Sequence, residues 1–289
     1  MHYIRFMLSL IFPMTQDNTI DVAFTKQFES EVHLAYQRMG SKLLNTVRRK
    51  TNVVGASTTF QKIGKGIAGT KTRGGQVPIL NLVHTNALCT LVDRYGGEFI
   101  DKLDELKIEH DERGAVSTSI AGALGRASDA DIVAVTDTFT QETTATGVVT
   151  QPKVEEAFEY FGDNDVPDDG QRALAVAPQG WTDLMGLAPF ASLDYVPESD
   201  LPFPKVGFSA KNWFSFNIFT FSGLTLTGGT VRQNVAYHKT AVGHASGQDV
   251  MMDITWQGKE QSHLAVGSMS MGACLIDDIG GYRIRSTET

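Results

Sequence analysis

The chain has 289 residues, 42% apolar and 20% charged, with 25 Lys and Arg against 33 Asp and Glu and a net charge of −8. That balance excludes a disordered chain, which needs low hydrophobicity with high net charge, and the presence of only two cysteines excludes a disulfide scaffold. The length allows one large domain or two modest ones with a sizeable core, and the acidic total argues against a surface that grips nucleic acid throughout.

The total hides a division. Between Arg48 and Val92 lie seven basic residues (Arg48, Arg49, Lys50, Lys62, Lys65, Lys71 and Arg73) and no Asp or Glu, so the remainder carries 18 basic and 33 acidic residues, a net of −15. Any function has to use one basic segment on an otherwise acidic molecule.

In chain order, the apolar run before Pro13 is about seven residues, too short to span a bilayer, which takes about 20. It has one Arg and no small-x-small cleavage site, so a signal peptide fits poorly. It reads either as an apolar arm that docks on a partner or as sequence upstream of a working start at Met14. No later run is long enough to span a membrane. Residues 24–47 show helical spacing (Phe28, Val32, Ala35, Met39, Leu43), and a helix is expected to close at Arg48-Arg49-Lys50, where cations suit the negative end of the dipole.

From 51 to 92 the helical period vanishes. Val53-Val54, Thr58-Thr59-Phe60 and Val77-Pro78-Ile79-Leu80 read as short strands. Between them Gly64, Gly66, Gly69, Gly74 and Gly75 alternate with Lys65, Lys71 and Arg73, the composition of a long basic hairpin tip. A hairpin of that size with no core of its own lies on another surface. Leu88–Val92 reads as a strand and Phe99–Ile108 as a short amphipathic segment. A helix is expected over Glu109–Ala127, with Asp111 and Glu112 in its first turn, and Ser128 with Asp131 resembles a capping box opening a second one through Val135. Residues 139–150 are loop, Pro152–Tyr160 helix, Phe161–Gly170 an acidic turn, Arg172–Ala177 a buried strand and Pro178–Gly186 a helix. The last hundred residues are β-like, with one helix expected over Val231–Gly243.

The candidate chemistry is thin. Gly64-x-Gly66-x-x-Gly69 has the letters of a dinucleotide fingerprint, but no helix can follow it through Pro78 and no acid comes before Asp93. It fails as a P-loop because Thr70 stands where Lys is required. Asp163 and Asp165 fit the first positions of a calcium loop, yet Pro167 occupies the fifth and no Gly the sixth. The histidines show no metal spacing, and no catalytic triad, metal set or carboxylate pair emerges. Cys89 and Cys274 lie in apolar sequence and read as buried inert thiols of a reducing compartment. The basic segment holds one aromatic, Phe60, and so lacks a stacking platform for nucleic acid. Its natural partner is the acidic surface of another copy of the same chain.

Ala236-Tyr237-His238-Lys239-Thr240-Ala241-Val242-Gly243 and the ending Ser270-Met271-Gly272-Ala273-Cys274-Leu275-Ile276-Asp277, together with Ile120–Arg126 and Val77-Pro78-Ile79 ahead of His84, stand in an order that resembles tailed-bacteriophage major capsid proteins of the HK97-type fold. The resemblance covers about residues 20–289. It implies an α+β fold with an N-terminal arm (1–50), an extended β-hairpin E-loop (51–88), a peripheral domain with a long spine helix (89–138), an axial domain (139–235) and a return to the peripheral domain (236–289). It also implies a non-enzymatic coat protein, without cofactor or metal, that self-assembles as hexamers and pentamers into the icosahedral virion capsid. The shell would be assembled in the host bacterial cytoplasm with separate scaffolding and portal proteins, around double-stranded DNA held without sequence-specific binding. Lys62, Lys65, Lys71 and Arg73 are the expected intersubunit contacts of the E-loop, with no covalent cross-link from its lysines. The alternatives are an encapsulin-like cellular shell and, more distantly, an α/β phosphate-binding enzyme.

Overall fold

The structure is a computed structural model that describes residues 38, 40–105, 111–143, 147–191 and 211–288. Two sheets and a projecting hairpin hang on one long helix. The first strands are β1 (Arg48–Lys50), β2 (Ser57–Ile63), β3 (His84–Thr90) and β4 (Val92–Asp101). After a short helix α1 (Lys102–Glu105) comes the long helix α2 (Glu112–Thr136), then α3 (Gln151–Asp163), β5 (Arg172–Val176), α4 (Pro178–Met185) and α5 (Ala188–Ala191). The remainder is strand: β6 (Lys211–Trp213), β7 (Phe216–Thr220), β8 (Leu226–Thr227), β9 (Val231–His238), β10 (Val242–Gln257), β11 (Ser262–Leu275) and β12 (Gly281–Thr287).

One sheet has the order β1-β10-β11-β4; the other runs β12-β9-β5-β7-β6, with β8 added to β9. Strand β5 is buried along its whole length. Its period of two sends Leu174 and Val176 into a core with Phe161, Leu184, Phe190 and Ile218, under α3 and α4. Ala173 and Ala175 face the opposite core with Ile132, Val133 and Tyr237. Residues 236–289 serve both sheets: β10 and β11 form the centre of one, and β12 returns to the edge of the other beside β9.

The spine helix α2 is about 37 Å long at 1.5 Å per residue. Its N-terminal half packs Ile120 and Leu124 on Ile100, Ala265 and Met269 of the four-stranded sheet; its C-terminal half packs Ile132 and Val133 on the six-stranded one. One rod therefore fixes the two sheets to each other. Asp111 caps it by accepting from the Gly114 N–H at 3.1 Å. The helix does not stop at Ala127. Ser128 and Asp131 open no second helix, because within a continuous helix no backbone N–H is free for a cap. They bond elsewhere instead: Ser128 Oγ to His244 Nε2 at 3.2 Å, and Asp131 to Arg94.

Three further expectations fail on the described residues. The helix over 24–47 lies outside them up to residue 37 and at 39. Beyond that, Gly40 sits at φ +68°, only Leu44–Thr46 form a 3-10 turn, and Arg48–Lys50 are strand β1, parallel to β10. The chain is held there by Asp129, a fully buried carboxylate on α2 that accepts from the Lys42 and Leu43 N–H groups (3.2 and 3.1 Å) and from Ser41 Oγ, and pairs with Arg38 Nε at 3.3 Å. A Cβ on Gly125 would meet the Gly40 backbone at 2.7 Å, so glycine is what lets this strap cross the helix. Val231–His238 is strand, not helix. Its polar Gln233, Asn234 and His238 are buried: Asn234 Oδ1 accepts from the Ala177 N–H at 2.8 Å while its Nδ2 donates to Ile284 O and Ser286 Oγ. Finally, Val53-Val54 and Val77–Leu80 are not strands; Pro78 has no N–H to give a ladder, and the return strand starts at His84.

Candidate subunit interface

Strands β2 and β3 pair antiparallel from Ser57 opposite Thr90 to Ile63 opposite His84, and Gly64 N–H to Val83 O (2.8 Å) closes the ladder. Alternation turns Phe60 and Cys89 down onto the four-stranded sheet, where they meet Ala245 and Cys274 in a small buried core. Three glycines cut the seat for this hairpin root. A Cβ on Gly243 would stand 2.9 Å from the Phe60 ring, one on Gly247 3.1 Å from Leu91 Cδ1 and the Val53 carbonyl, and one on Gly272 would collide with the Thr90 carbonyl. The root is built into the body.

The arm beyond it is not. From Lys65 to Val83 the chain is irregular and almost wholly exposed. Ile67 (89% exposed), Val77, Ile79, Leu80, Leu82 and Val83 present their side chains to solvent. The four basic residues expected to act together divide along it. Lys62, at the root, pairs with Asp277 at 2.7 Å, and Lys65 pairs with Asp165 at 2.9 Å, whose carboxyl is held below the usual range by that hydrogen bond and charge. Lys71 and Arg73 sit at the tip and form no ion pair among the described residues. The arm is thus apolar as well as basic. The apolar half is visible in Ile67, Val77, Ile79 and Leu80, but in the sequence Ile67 reads only as part of a Gly-rich tip and Val77–Leu80 as a strand.

A second exposed surface lies on the four-stranded sheet, on the face turned away from α2. Register puts Asp93, Tyr95, Phe99 and Asp101 of β4 on one side, with Leu264 and Val266 of β11 and Met251 and Asp253 of β10 beside them. The alternate residues, Ile100, Ala265 and Met269, face α2 and are buried. Tyr95 is 72% exposed, Met251 63% and Phe99 54%. Contiguous apolar side chains of this size on a sheet face, ringed by carboxylates, mark a docking surface.

The other candidate chemistry separates into structural contacts. In the acidic turn, Asp165 goes to Lys65, Asp168 accepts from Ser215 Oγ at 2.7 Å, and Asp169 accepts from Gln171 and His238. No group of three or more His, Cys, Asp or Glu suited to a metal occurs among the described residues. His238 bonds Asp169 through Nε2 (3.0 Å) and Thr240 Oγ1 through Nδ1 (2.8 Å), a hydroxyl–imidazole–carboxylate row that ties the end of β9 to the acidic turn. The Gly64–Gly69 stretch runs straight into the exposed arm with no helix behind it.

The family model described as phage capsid protein matches residues 20–288. Among solved structures, the capsid of the cyanophage P-SCSP1u superposes with a TM-score of 0.72 at 17% identity, over 93% of this chain and 95% of that one. A chain of Mycobacterium phage Che8 gives 0.71 at 16%, over 90% and 97%, and the capsid of a native GTA particle gives 0.68 at 9%, over 94% and 100%. No curated protein matches. The α+β architecture of two sheets on a spine helix is therefore the fold of such capsid subunits.

Proposed function

The chain belongs to the phage capsid protein family, whose members are structural shell components and not enzymes, and from that premise we propose how its copies hold together. The hairpin arm of one copy lies on the outward face of the four-stranded sheet of a neighbour. Ile67, Val77, Ile79 and Leu80 cover Tyr95, Phe99 and Met251, while Lys71 and Arg73 meet Asp93, Asp101 and Asp253. The observation that carries this reading is the match of the two surfaces: each is apolar, each is exposed, and their charges are opposite. The apolar contact supplies affinity, and the charges select register and reject wrong pairings.

Repeated around a ring, such a contact is heterologous and closes into hexamers and pentamers. The layout follows the resemblance, with an arm (1–50), an E-loop (51–88), a peripheral domain (89–138 and returning after 236) and an axial domain (139–235). Scaffolding and portal proteins would direct closure around double-stranded DNA. The acids at Asp165 and Asp277 park the hairpin root on its own subunit, leaving the tip residues free to choose a partner. Family membership favours this viral shell over an encapsulin-like compartment or a phosphate-binding enzyme.

The test is charge exchange in full-length protein followed by electron microscopy. Lys71→Glu with Arg73→Glu should cut the yield of closed shells at least tenfold. Adding Asp93→Lys and Asp253→Lys should restore it. Normal shells from the first variant, or no recovery in the second, would overturn the pairing.

A further inference from the structure

The two cysteines are 185 positions apart in sequence and side by side in space. Cys89, on β3, and Cys274, on β11, share the buried cluster under Phe60. The strands cross there at close range, because the Thr90 carbonyl occupies the place where Gly272 would carry a Cβ. Gly272 and Cys274 project from the same face of β11, so the second thiol stands directly in line with the first.

We propose that Cys89 and Cys274 form an oxidisable pair whose disulfide staples the root of the hairpin to the four-stranded sheet after the protein leaves a reducing compartment. The two thiols are neighbours in that cluster, and each perturbs the acidity of the other. The neighbouring Cys274 lowers the proton affinity of the Cys89 thiol, while the neighbouring Cys89 sulfur and then burial raise that of Cys274. Cys89 is therefore the attacking sulfur and Cys274 the resolving one. With hydrogen peroxide as oxidant, Cys89 thiolate attacks one peroxide oxygen, the O–O bond breaks, and the departing hydroxide takes up a proton as water. Cys274 sulfur then attacks the sulfenic sulfur, the S–O bond breaks, and the Cys274 proton leaves with the oxygen as a second water. Overall two thiols and one peroxide give one disulfide and two waters. A small oxidant is required because Cys89 is fully buried and Cys274 only 8% exposed. Strands β2 and β3 cover the pair, and a local opening of the hairpin admits the oxidant.

The chemistry is independent of the shell reading; only its use, fixing the E-loop once assembly is over, rests on it. The experiment treats the full chain with hydrogen peroxide, unfolds it in the presence of N-ethylmaleimide and maps the peptides by mass. The expected result is a Cys89–Cys274 linked peptide, abolished by dithiothreitol, with both free thiols disappearing together. Cys274→Ser should instead leave Cys89 trapped as a dimedone adduct. A linked protein should melt about 5–10 °C higher than the reduced one, given the long loop it closes. Recovery of both cysteines as separate maleimide adducts, or oxidation of Cys89 to a sulfinic acid without a link in the unmodified chain, would overturn the proposal. Shells that form but never cross-link would refute this inference alone, and cross-linked protein that never forms shells would refute only the assembly reading.

Discussion

The six-stranded sheet and the hairpin arm are made from similar apolar side chains, and they end in opposite environments. Around β5, Leu174, Val176, Phe161, Phe190 and Ile218 are all lost to solvent, and even the polar Asn234 finds its partners inside the chain. Along the arm, Ile67, Val77 and Ile79 are left in water. A folded chain tolerates single exposed apolar residues, but a run of them on a segment with no core has to be covered by something else. The six-stranded sheet is complete within one molecule, and the arm is complete only between two.

The largest expected effects test that division directly. Ile67→Asp, Val77→Asp and Ile79→Asp together should abolish shell formation, seen by microscopy, while leaving the subunit's unfolding free energy within about 0.5 kcal/mol of the parent, as surface changes do. Phe161→Ala in the body should cost about 3–5 kcal/mol in denaturant unfolding. Loss of subunit stability in the arm variant would show that the arm belongs to its own chain's core. The buried carboxylate gives the next largest effect. Asp129→Ala strands Arg38 and frees two backbone N–H groups, and should cost about 3–5 kcal/mol, read by the same titration.

The hairpin root lies between the two regimes. Gly272→Ala forces β3 off its seat, and by analogy with overpacked cores should cost about 1–3 kcal/mol. Hydrogen exchange should quicken at β2 and β3 and not at β5; uniform quickening would deny that the root is a separate unit. A smaller effect is pH-dependent. His244 is buried beside Arg49, with burial the larger cause, and its proton affinity is lowered below the ordinary value of 6.5. The unfolded chain therefore takes up the proton first, and stability falls as the pH drops from 6.5 toward the lower folded value. His244→Gln should flatten that slope in thermal unfolding between pH 6.5 and 5; an unchanged slope would assign it to other groups. The smallest is Lys65→Ala, at a fully exposed pair, which should leave the melting temperature unchanged.

Much of the fold was legible because local pattern and burial agreed. Ala173–Val176 is apolar throughout and β5 is buried on both faces, and the first turns of α3 and α4 carry Pro where a helix tolerates it. The errors fall where a partner distant in sequence overrides local preference. Val231–His238 reads as helix, whereas it is a strand paired with β5 on one side and β12 on the other. Ser128 reads as a cap because nothing in the sequence announces His244 beneath it. For the candidate interface, the basic half could be counted from the letters, but the acceptor face could not. Tyr95, Phe99, Met251 and Asp253 become neighbours only through strand register.

Composition, charge segregation and the order of motifs by themselves pointed to an acidic α+β chain with a basic, Gly-rich hairpin, resembling an HK97-type capsid subunit. Those properties are additive along the chain and survive without coordinates. Which lysines stay on their own subunit, which apolar side chains remain in water, and that Cys89 meets Cys274 were decided only by the tertiary structure. Each depends on pairings between strands tens to hundreds of residues apart, and a pairing of that kind is fixed by the packing of the whole sheet and not by either strand's own sequence.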